Sequence, residues 1–598
     1  MENIRHSFAH VLAAAVKKMY PKAQLGIGPV IENGFYYDFN KVKIAQEDLP
    51  KIEKEMREII RGNHKFKKEL WEAAKATRHY KKEAQPYKLD LIRDLVKSQI
   101  PKSKSQTNSK FKIQNSKLTK VGMVYTGDVF LDLCRGGHAK NTSELPVDAF
   151  KLTKVAGAYW RGNEKNPQLT RVYGVAFATK KELEEYLHAM EEAEKRDHRK
   201  LGRALGLFVF SELIGPGLPV YTPKGTAILQ KIKDYSRELR KEIAYQEVHT
   251  PQINKAELFK ISGHYDKYKD DMFHVRSNYT DEEYFMKPMN CPQHTQLYAS
   301  ELRSYKDLPV RFADFANLYR DEKPGELNGL SRLRAFSQDD GHSFCTEDQI
   351  EEEFNRVLGV VEKAMKTYGM TYWIRLSLRD EKNKKKYLGD DATWKKSQAT
   401  LRSLLKKKGV EFKEAQGEAA FYGPKMDLMA KDSLGREWQL STIQLDLNMA
   451  GRFGLEYIDE NGKKKTPVMI HAAIVGSPER FLGVLLEHYA GAFPVWLAPE
   501  QVRIVPVSDK FVDYANKVKE ILLETQKDLR ITIDEANETL GKKIREGETM
   551  KVPYLLIVGE KEQQAKQVGV RKRGKGDLGA IDTEHFMQQL QKEIENRA

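Results

Sequence analysis

Cysteine is scarce in this chain, with three in 598 residues, at positions 134, 291 and 345. That scarcity excludes a disulfide framework and fits a reducing compartment, so a cytoplasmic location is expected. Long apolar runs are also missing. No stretch approaches the roughly 20 consecutive apolar residues of a membrane-crossing helix, so no membrane partner is expected. The N-terminal MENIRHSFAH lacks the apolar core of a secretory signal. Nor is there an acidic excess. Lys and Arg number 101 against 85 Asp and Glu, a formal net charge of +16. That balance predicts a polyanionic partner, nucleic acid, over the plainer reading of a solvated basic surface.

What is present divides along the chain. A hydrophobic content of 40% permits full cores, and the length predicts several domains. Residues 1–20 read as an amphipathic helix with His6 and His10 on one face. IGPVIENGFYYDF (27–39) alternates aromatics around an Asn-Gly pair and predicts a β-hairpin. A charged helical pattern follows over about 46–62. The Lys/Ser-rich stretch 97–120 has no periodic apolar face and predicts an exposed, partly disordered insertion. Residues 181–205 read as one long charged helix bridging two domains. Mixed strands and helices run to about 498, and the last hundred residues alternate strand and helix, ending in a helix from 583.

Three motifs carry the chemistry. They are MKPMNCPQH (286–294), FSQDDGHSF (336–344) and HAAIVGSPERF (471–481), holding Cys291, His342 and His471. One thiolate and two imidazoles suit zinc with a coordination position left open to substrate. Cys291 alone would read as a small buried hydrophobe, and only the constellation reverses that. Arg320, Arg332, Arg334 and Arg480 are the cations to place around a triphosphate. The segment LYRDEKPGELNGLSRLRAF folds back on itself, with Arg320 before its turn and Arg332 and Arg334 on the returning strand. Glu322 could accept from an adenine amino group, and Phe336 could stack on a base. His264, His294 and His488 have no comparable partners and read as structural. Near the N-terminus, His6 and His10 together with Asp132, Cys134 and His138 of LDLCRGGHA suggest a second metal site. Scattered histidines are the competing reading there, and a Cys beside Arg also fits a nucleophile.

The segment 318–344 resembles motif 2 of class II aminoacyl-tRNA synthetases. Together with MKPMNCPQH, FYGPK (421–425), WQLSTIQLD (438–446) and HAAIVGSPERF, the chain resembles the threonyl-tRNA synthetase family over nearly its whole length. The resemblance implies an α+β multidomain fold. An editing domain would span 1–180, a linker helix 181–205, an antiparallel-sheet catalytic domain 206–498 and an α/β anticodon-binding domain 499–598. It implies that Arg320 and Arg480 are catalytic and hold phosphates, with Glu322, Arg332, Phe336, Gln439 and Ser477 completing the ATP site. Met289, Gln338, Asp340, Tyr422 and Gln444 would surround threonine. Cys291, His342 and His471 would hold one zinc per chain, and Mg²⁺ would accompany ATP. Partners would be ATP, L-threonine, tRNA(Thr) and a second copy of the chain, paired through motif 1 (Tyr221 and Pro223 to Pro251).

For the N-terminal residues the resemblance redirects the reading. His6, His10, Asp132, Cys134 and His138 would position water for hydrolysis of mischarged Ser-tRNA(Thr) and would not bind metal. Asn537, Arg571 and Arg573 would contact tRNA, with Glu538 and Lys572 beside them. Three departures stand out. The family's N-terminal ubiquitin-like domain is expected to be absent, Gln293 stands where the family has Gly, and Ala472 stands where it has Arg. Either substitution could weaken local packing or substrate contacts. Competing readings are an RNA-binding protein that has lost activation, a deacylase on an inert ligase body, and a class II enzyme for serine or proline. Arg320, Arg332 and Arg480 argue against the first two, and the ordered Cys/His/His set with Asp340 favours threonine.

Overall fold

The computed structural model describes residues 1–98 and 120–597. The predicted insertion 97–120 therefore lies, but for its end residues, outside the described residues. Two compact units form, Met1–Glu191 and Glu192–Ala598.

In the first unit, helix Glu2–Met19 carries Glu2 in its first turn and Lys17 and Lys18 in its last, matching the helix dipole. Its amphipathic expectation fails, since every residue from Ser7 to Val16 is buried. The alanine-rich run lets strand Gly34–Asn40 and helix Leu49–Arg61 close on it together. The predicted hairpin forms, pairing Val30 with Phe35 and Ile31 with Gly34. Gly34 also faces Val175 of strand Gln168–Ala176, where a Cβ would come within 2.0 Å of the Gly174 carbonyl oxygen. Only glycine fits that approach. A second, three-stranded sheet, Phe66–Glu72, Lys120–Thr126 and Phe130–Leu133, presents Asp132 and leads into the loop of Cys134 and His138.

The predicted long helix over 181–205 is two helices, Lys180–Lys195 and His198–Ala204. Asp197 breaks it. Its side chain accepts from the Arg199 backbone N–H at 2.8 Å and caps the second helix.

The second unit is built on an eight-stranded sheet. Its central strands, Val310–Asp314, Asp340–Cys345, Val468–Ala473, Glu437–Asp446, Lys425–Lys431 and Thr371–Leu378, run antiparallel, and a parallel strand closes each edge. Helices Pro223–Glu242, Ile350–Thr367 and Pro478–His488 pack their apolar faces into the main core of this unit. Ile228, Ile232 and Leu239 on the first of them are 0% exposed, and each such side chain contributes about 1.5–3 kcal/mol. The last hundred residues form a five-stranded sheet with two parallel and two antiparallel pairings. Its helices include Val512–Thr525, Leu540–Thr549 and Thr583–Glu595, as the alternation predicts. Among the described residues no helix is long and apolar enough to cross a membrane.

Candidate functional site

A cavity of about 460 Å³ opens over the central strands of the second unit. All 15 residues that the resemblance assigns to ATP, threonine and metal line it. The sheet explains how residues so far apart in sequence meet. His342 and His471 are direct cross-strand partners, and Gln444 faces His471 from the other side. Alternation then turns their neighbours Gly341 and Ala472 to the opposite face.

The metal-capable end is fully buried. The donor atoms of Cys291, His342 and His471 lie within 4.8 Å of one another. Nε2 of His342 is 3.0 Å from Nδ1 of His471. The far nitrogens are also held. Nε2 of His471 lies 3.1 Å from Asp446 Oδ2, and Nδ1 of His342 lies 2.7 Å from Nδ1 of His294. If Asp446 accepts from His471 and His294 accepts from His342, the two remaining lone pairs face one another. Burial, then the neighbouring histidines His294 and His471, hold His342 neutral. Burial foremost, then Asp340 and Asp446, pushes the Cys291 thiol up, so a thiolate there needs a cation. Tyr422 stacks on His471 at 4.6 Å between ring centroids, and its hydroxyl donates to Gln444 Oε1 at 2.7 Å.

Two histidines that read as structural belong to this end. His294, three residues after Cys291 on the same helix, touches His342. His264 Nε2 lies 3.6 Å from Cys291 Sγ and 3.1 Å from Met289 Sδ. His488 is structural as read, accepting from the Ser433 backbone N–H at 3.1 Å. Gln293 is buried and is not among the residues lining the cavity.

The other end is cationic. Arg320 follows strand Asn317–Tyr319, and its guanidinium carbon sits 5.1 Å from the Phe336 ring centroid. Arg480 lies in the first turn of helix Pro478–His488, which Ser477 caps. Glu479 ties that helix to the hairpin, accepting from the Ser337 backbone N–H at 2.9 Å and its hydroxyl at 2.6 Å. Among the described residues neither Arg320 nor Arg480 has a carboxylate within ion-pair distance, and burial lowers the pKa of both. Nε of Arg480 is buried with no hydrogen-bond partner. Cations held without counter-charge suit an anionic ligand.

Arg332 and Arg334 are not on the returning strand, which starts at Ala335; they lie in the loop before it. Arg332 pairs with Glu322 at 2.7 Å and Glu326 at 2.6 Å, so Glu322 is engaged and would have to release Arg332 to meet an adenine. Gln439 sits in a network that the sequence reading missed. Its Nε2 donates to Asp427, which also holds Lys425, another residue lining the cavity, at 2.9 Å and Arg375 at 3.0 Å.

Four of the five N-terminal residues come together. Cys134 Sγ lies 3.4 Å from His6 Nε2 and 3.3 Å from His138 Nε2, and the four His/Cys donors fall within 4.8 Å of one another. Burial lowers His6 and His10 and pushes His138 down to about 2, while it raises the Cys134 thiol. An uncharged thiol among neutral imidazoles is not an activated nucleophile. Asp132 stands slightly apart, bonded to Lys88 at 2.6 Å and to the Tyr37 hydroxyl, and Lys88 also donates to Tyr37 at 2.9 Å. No sequence pattern pointed to Lys88 or Tyr37.

The predicted tRNA contacts divide. Asn537 is exposed on its loop. Arg571 pairs with Glu548 at 3.5 Å and Asp577 at 3.6 Å. Arg573 is not a free cation, because its guanidinium donates to the carbonyls of Ala492 at 3.1 Å, Phe493 and Lys551.

Comparisons with known proteins agree with this layout. Residues 273–489 match the class II tRNA synthetase core domain (G, H, P, S and T), 501–593 an anticodon-binding domain, and 121–173 the second additional domain of threonyl- and alanyl-tRNA synthetases. A threonine–tRNA ligase from Gloeobacter violaceus is 46% identical over 100% of this chain and 93% of its own length. One from Thermotoga maritima is 45% identical over 100% of this chain and 88% of its own. Among solved structures, the RNA-binding domain of the threonyl-tRNA synthetase of Cryptosporidium parvum Iowa II shares 38% identity at a TM-score of 0.63, covering 66% of this chain and 98% of that one.

Proposed function

The chain belongs to the threonine–tRNA ligase family, and from that premise we infer how its two sites divide the work. The large cavity activates threonine with ATP and passes it to the 3′ end of tRNA. The N-terminal cluster hydrolyses Ser-tRNA. The observation that carries this reading is one cavity with counter-charge-free arginines at one end and the buried Cys/His/His set at the other.

In activation the threonine carboxylate attacks the α-phosphate of ATP, the bond to pyrophosphate breaks, and threonyl-adenylate forms. Little proton transfer is required; two anions must be aligned and their charge offset. Arg320 and Arg480 supply that, with Mg²⁺ accompanying ATP, and Phe336 offers a stacking face beside Arg320. Arg332 joins them once it leaves Glu322, which is then free for the adenine amino group.

Cys291, His342 and His471 would hold zinc, with Asp446 and His294 orienting the imidazoles. Metal–ligand distances of about 2.0–2.3 Å place tetrahedral ligands roughly 3.3–3.8 Å apart, and the three donor atoms already lie within 4.8 Å of one another. When bound, zinc would supply Lewis-acid coordination to threonine, through its amino nitrogen and β-hydroxyl. Asp340, Gln444 and Tyr422 surround the same space. Valine lacks the hydroxyl and is rejected strongly. Serine lacks one methyl, worth only about 1–3 kcal/mol, which makes a second sieve necessary.

In the N-terminal cluster, water adds to the seryl carbonyl carbon, the ester bond to ribose breaks, and the ribose hydroxyl leaves with a proton. His6, His10, Cys134 and His138 position that water, and Lys88, Tyr37 and Asp132 form the charged wall beside it. We assign the editing domain to 1–180, the connecting segment to 181–205, the catalytic domain to 206–498 and the anticodon-binding domain to 499–598. Asn537 and Arg571 remain the candidates for tRNA contact. The chain would act in the cytoplasm as a homodimer through the motif 1 region. Val209 (53% exposed), Leu213 (99%) and Ile214 (50%), shortly before that region in the chain, support an apolar interface.

The decisive test is ATP–pyrophosphate exchange with threonine, serine, valine and proline, alongside a zinc assay on the same sample. Exchange with threonine, weaker exchange with serine and none with valine, at about one zinc per chain, is expected. Folded protein that exchanges with no amino acid would overturn the reading.

A further inference from the structure

Behind the His342–His471 pair, on the face of the sheet turned from the cavity, sits a buried guanidinium. Arg240 belongs to the last turn of helix Pro223–Glu242 and is 2% exposed. Its Nη2 donates to Asp339 Oδ1 at 2.8 Å and to the Ala472 carbonyl at 2.6 Å, and its Nε donates to Asp339 Oδ1 at 3.1 Å. Asp339 is one residue before Asp340, and Ala472 one residue after His471. The clamp therefore grips both ligand-bearing strands from behind.

The other oxygen of Asp339 extends the clamp. Oδ2 accepts from the Ser236 hydroxyl at 2.6 Å and from the backbone N–H groups of Ile474 and Val475 at 3.0 Å each. Ser236 and Arg240 are one helical turn apart, so a single helix face reaches the strand of His342 and the loop after the strand of His471.

The sheet is shaped to admit this cation. Gly341 pairs directly with Ala472, and both face the helix. A Cβ on Gly341 would lie 2.1 Å from Arg240 Nη1 and 2.5 Å from its guanidinium carbon, an overlap with a rigid, buried group. Glycine is required here for space and not for backbone conformation. Helix, strands and a missing methyl group thus agree on one arrangement.

We propose that Arg240 is the positioning residue that sets the mutual placement of His342 and His471, acting through Asp339 and the Ala472 carbonyl. It touches neither substrate nor the reacting atoms. The proposal rests on the assignment of His342 and His471 to cation and threonine recognition.

Arg240→Met is the first test, read by zinc competition with a chromophoric chelator and by the threonine KM. Residues that orient metal ligands typically alter affinity by about 10–100-fold. The variant is expected to bind zinc at least about tenfold more weakly and to raise the threonine KM while leaving the ATP KM unchanged. Ala472→Arg, placed on the same face as Gly341, should restore both when added to Arg240→Met. Zinc affinity and threonine KM within twofold of wild type in Arg240→Met would overturn the proposal. So would equal rises in the KM values for threonine and ATP, the mark of a general structural role. Should the single variant fail to fold, Arg240→Met with Asp339→Asn removes both buried charges together, and the same two readouts apply. Wild-type protein that holds no zinc would instead sink the metal assignment, and the threonine-against-ATP split would then decide the role of Arg240.

Discussion

The chain holds two clusters of histidine and cysteine, and they differ in what stands behind the donors. Around Cys291 the far nitrogens meet a carboxylate and another imidazole, Asp446 and His294, and both histidines project from paired strands. Around Cys134 the far nitrogens of two imidazoles meet neutral oxygens, and Nδ1 of His10 is buried with no hydrogen-bond partner. His6 Nδ1 lies 3.2 Å from the Gly137 carbonyl and His138 Nδ1 lies 3.4 Å from the Ser7 hydroxyl. The nearby carboxylate Asp132 is already bonded to Lys88 and Tyr37. Two of the donors, Cys134 and His138, lie outside strands, around Gly136 and Gly137. Donor identity is nearly the same in both places. On the function proposed above, local charge and rigidity are what separate the site for a cation from the site for hydrolysis.

The largest expected effect follows from removing a donor. Cys291→Ala or His342→Ala should abolish threonine activation and release zinc, while His10→Ala should leave activation intact and let Ser-tRNA accumulate. Pyrophosphate exchange and acid-gel analysis of charged tRNA read the two outcomes. Full activation by zinc-free Cys291→Ala protein would erase the distinction. Next, Arg480→Ala should lower exchange by about 10²–10³-fold, the usual loss on removing one donor to developing charge, with Ser-tRNA hydrolysis unchanged. The comparison sharpens with the carboxylates. Asp446→Asn should weaken zinc binding about 10–100-fold, whereas Asp132→Asn should slow deacylation with no change in zinc content. A drop in zinc content for Asp132→Asn would make the two clusters alike after all.

The smallest effect is on stability. Burial holds His138 at about 2 against an ordinary 6.5. Between those values the unfolded chain binds a proton that the folded chain refuses, so stability falls as pH drops below about 6.5. Hydrogen-exchange protection factors of helix Glu2–Met19 in the full-length protein should fall over that range. Unchanged protection down to pH 5 would contradict it.

Much of this was legible in sequence because the motifs are local. Cys291, His342 and His471 each sit in a dense polar segment, and the hairpin of Arg320 pairs neighbouring segments of the chain, Tyr319 with Ala335. What escaped was mostly nonlocal or buried. His264 meets Cys291 across 27 positions, and Lys88 meets Asp132 across the stretch 97–120. Charged groups paired with one another away from the surface leave no periodic trace, which hid Asp427, Arg375 and Arg240. Arg573 misled for the opposite reason, since a cation in a basic run can serve backbone carbonyls as well as phosphates. His294 and Asp197 carried signals that were there to use. One is three residues from Cys291 on a helix, and the other is a capping aspartate before HRK.

Ala472 looked like a gap in the motif and is in the structure a deliberate smallness opposite Gly341. That pairing bears on how the sheet assembles. Side chains alternate along a strand, so strand pairing has a parity. If strand Asp340–Cys345 slipped by one residue, Gly341 would line the cavity and His342 would be driven into the guanidinium behind. No partial credit is available, because the two imidazoles meet in one parity and are separated by the thickness of the sheet in the other. A cation captured between them would inspect the threading of the chain before any substrate arrives.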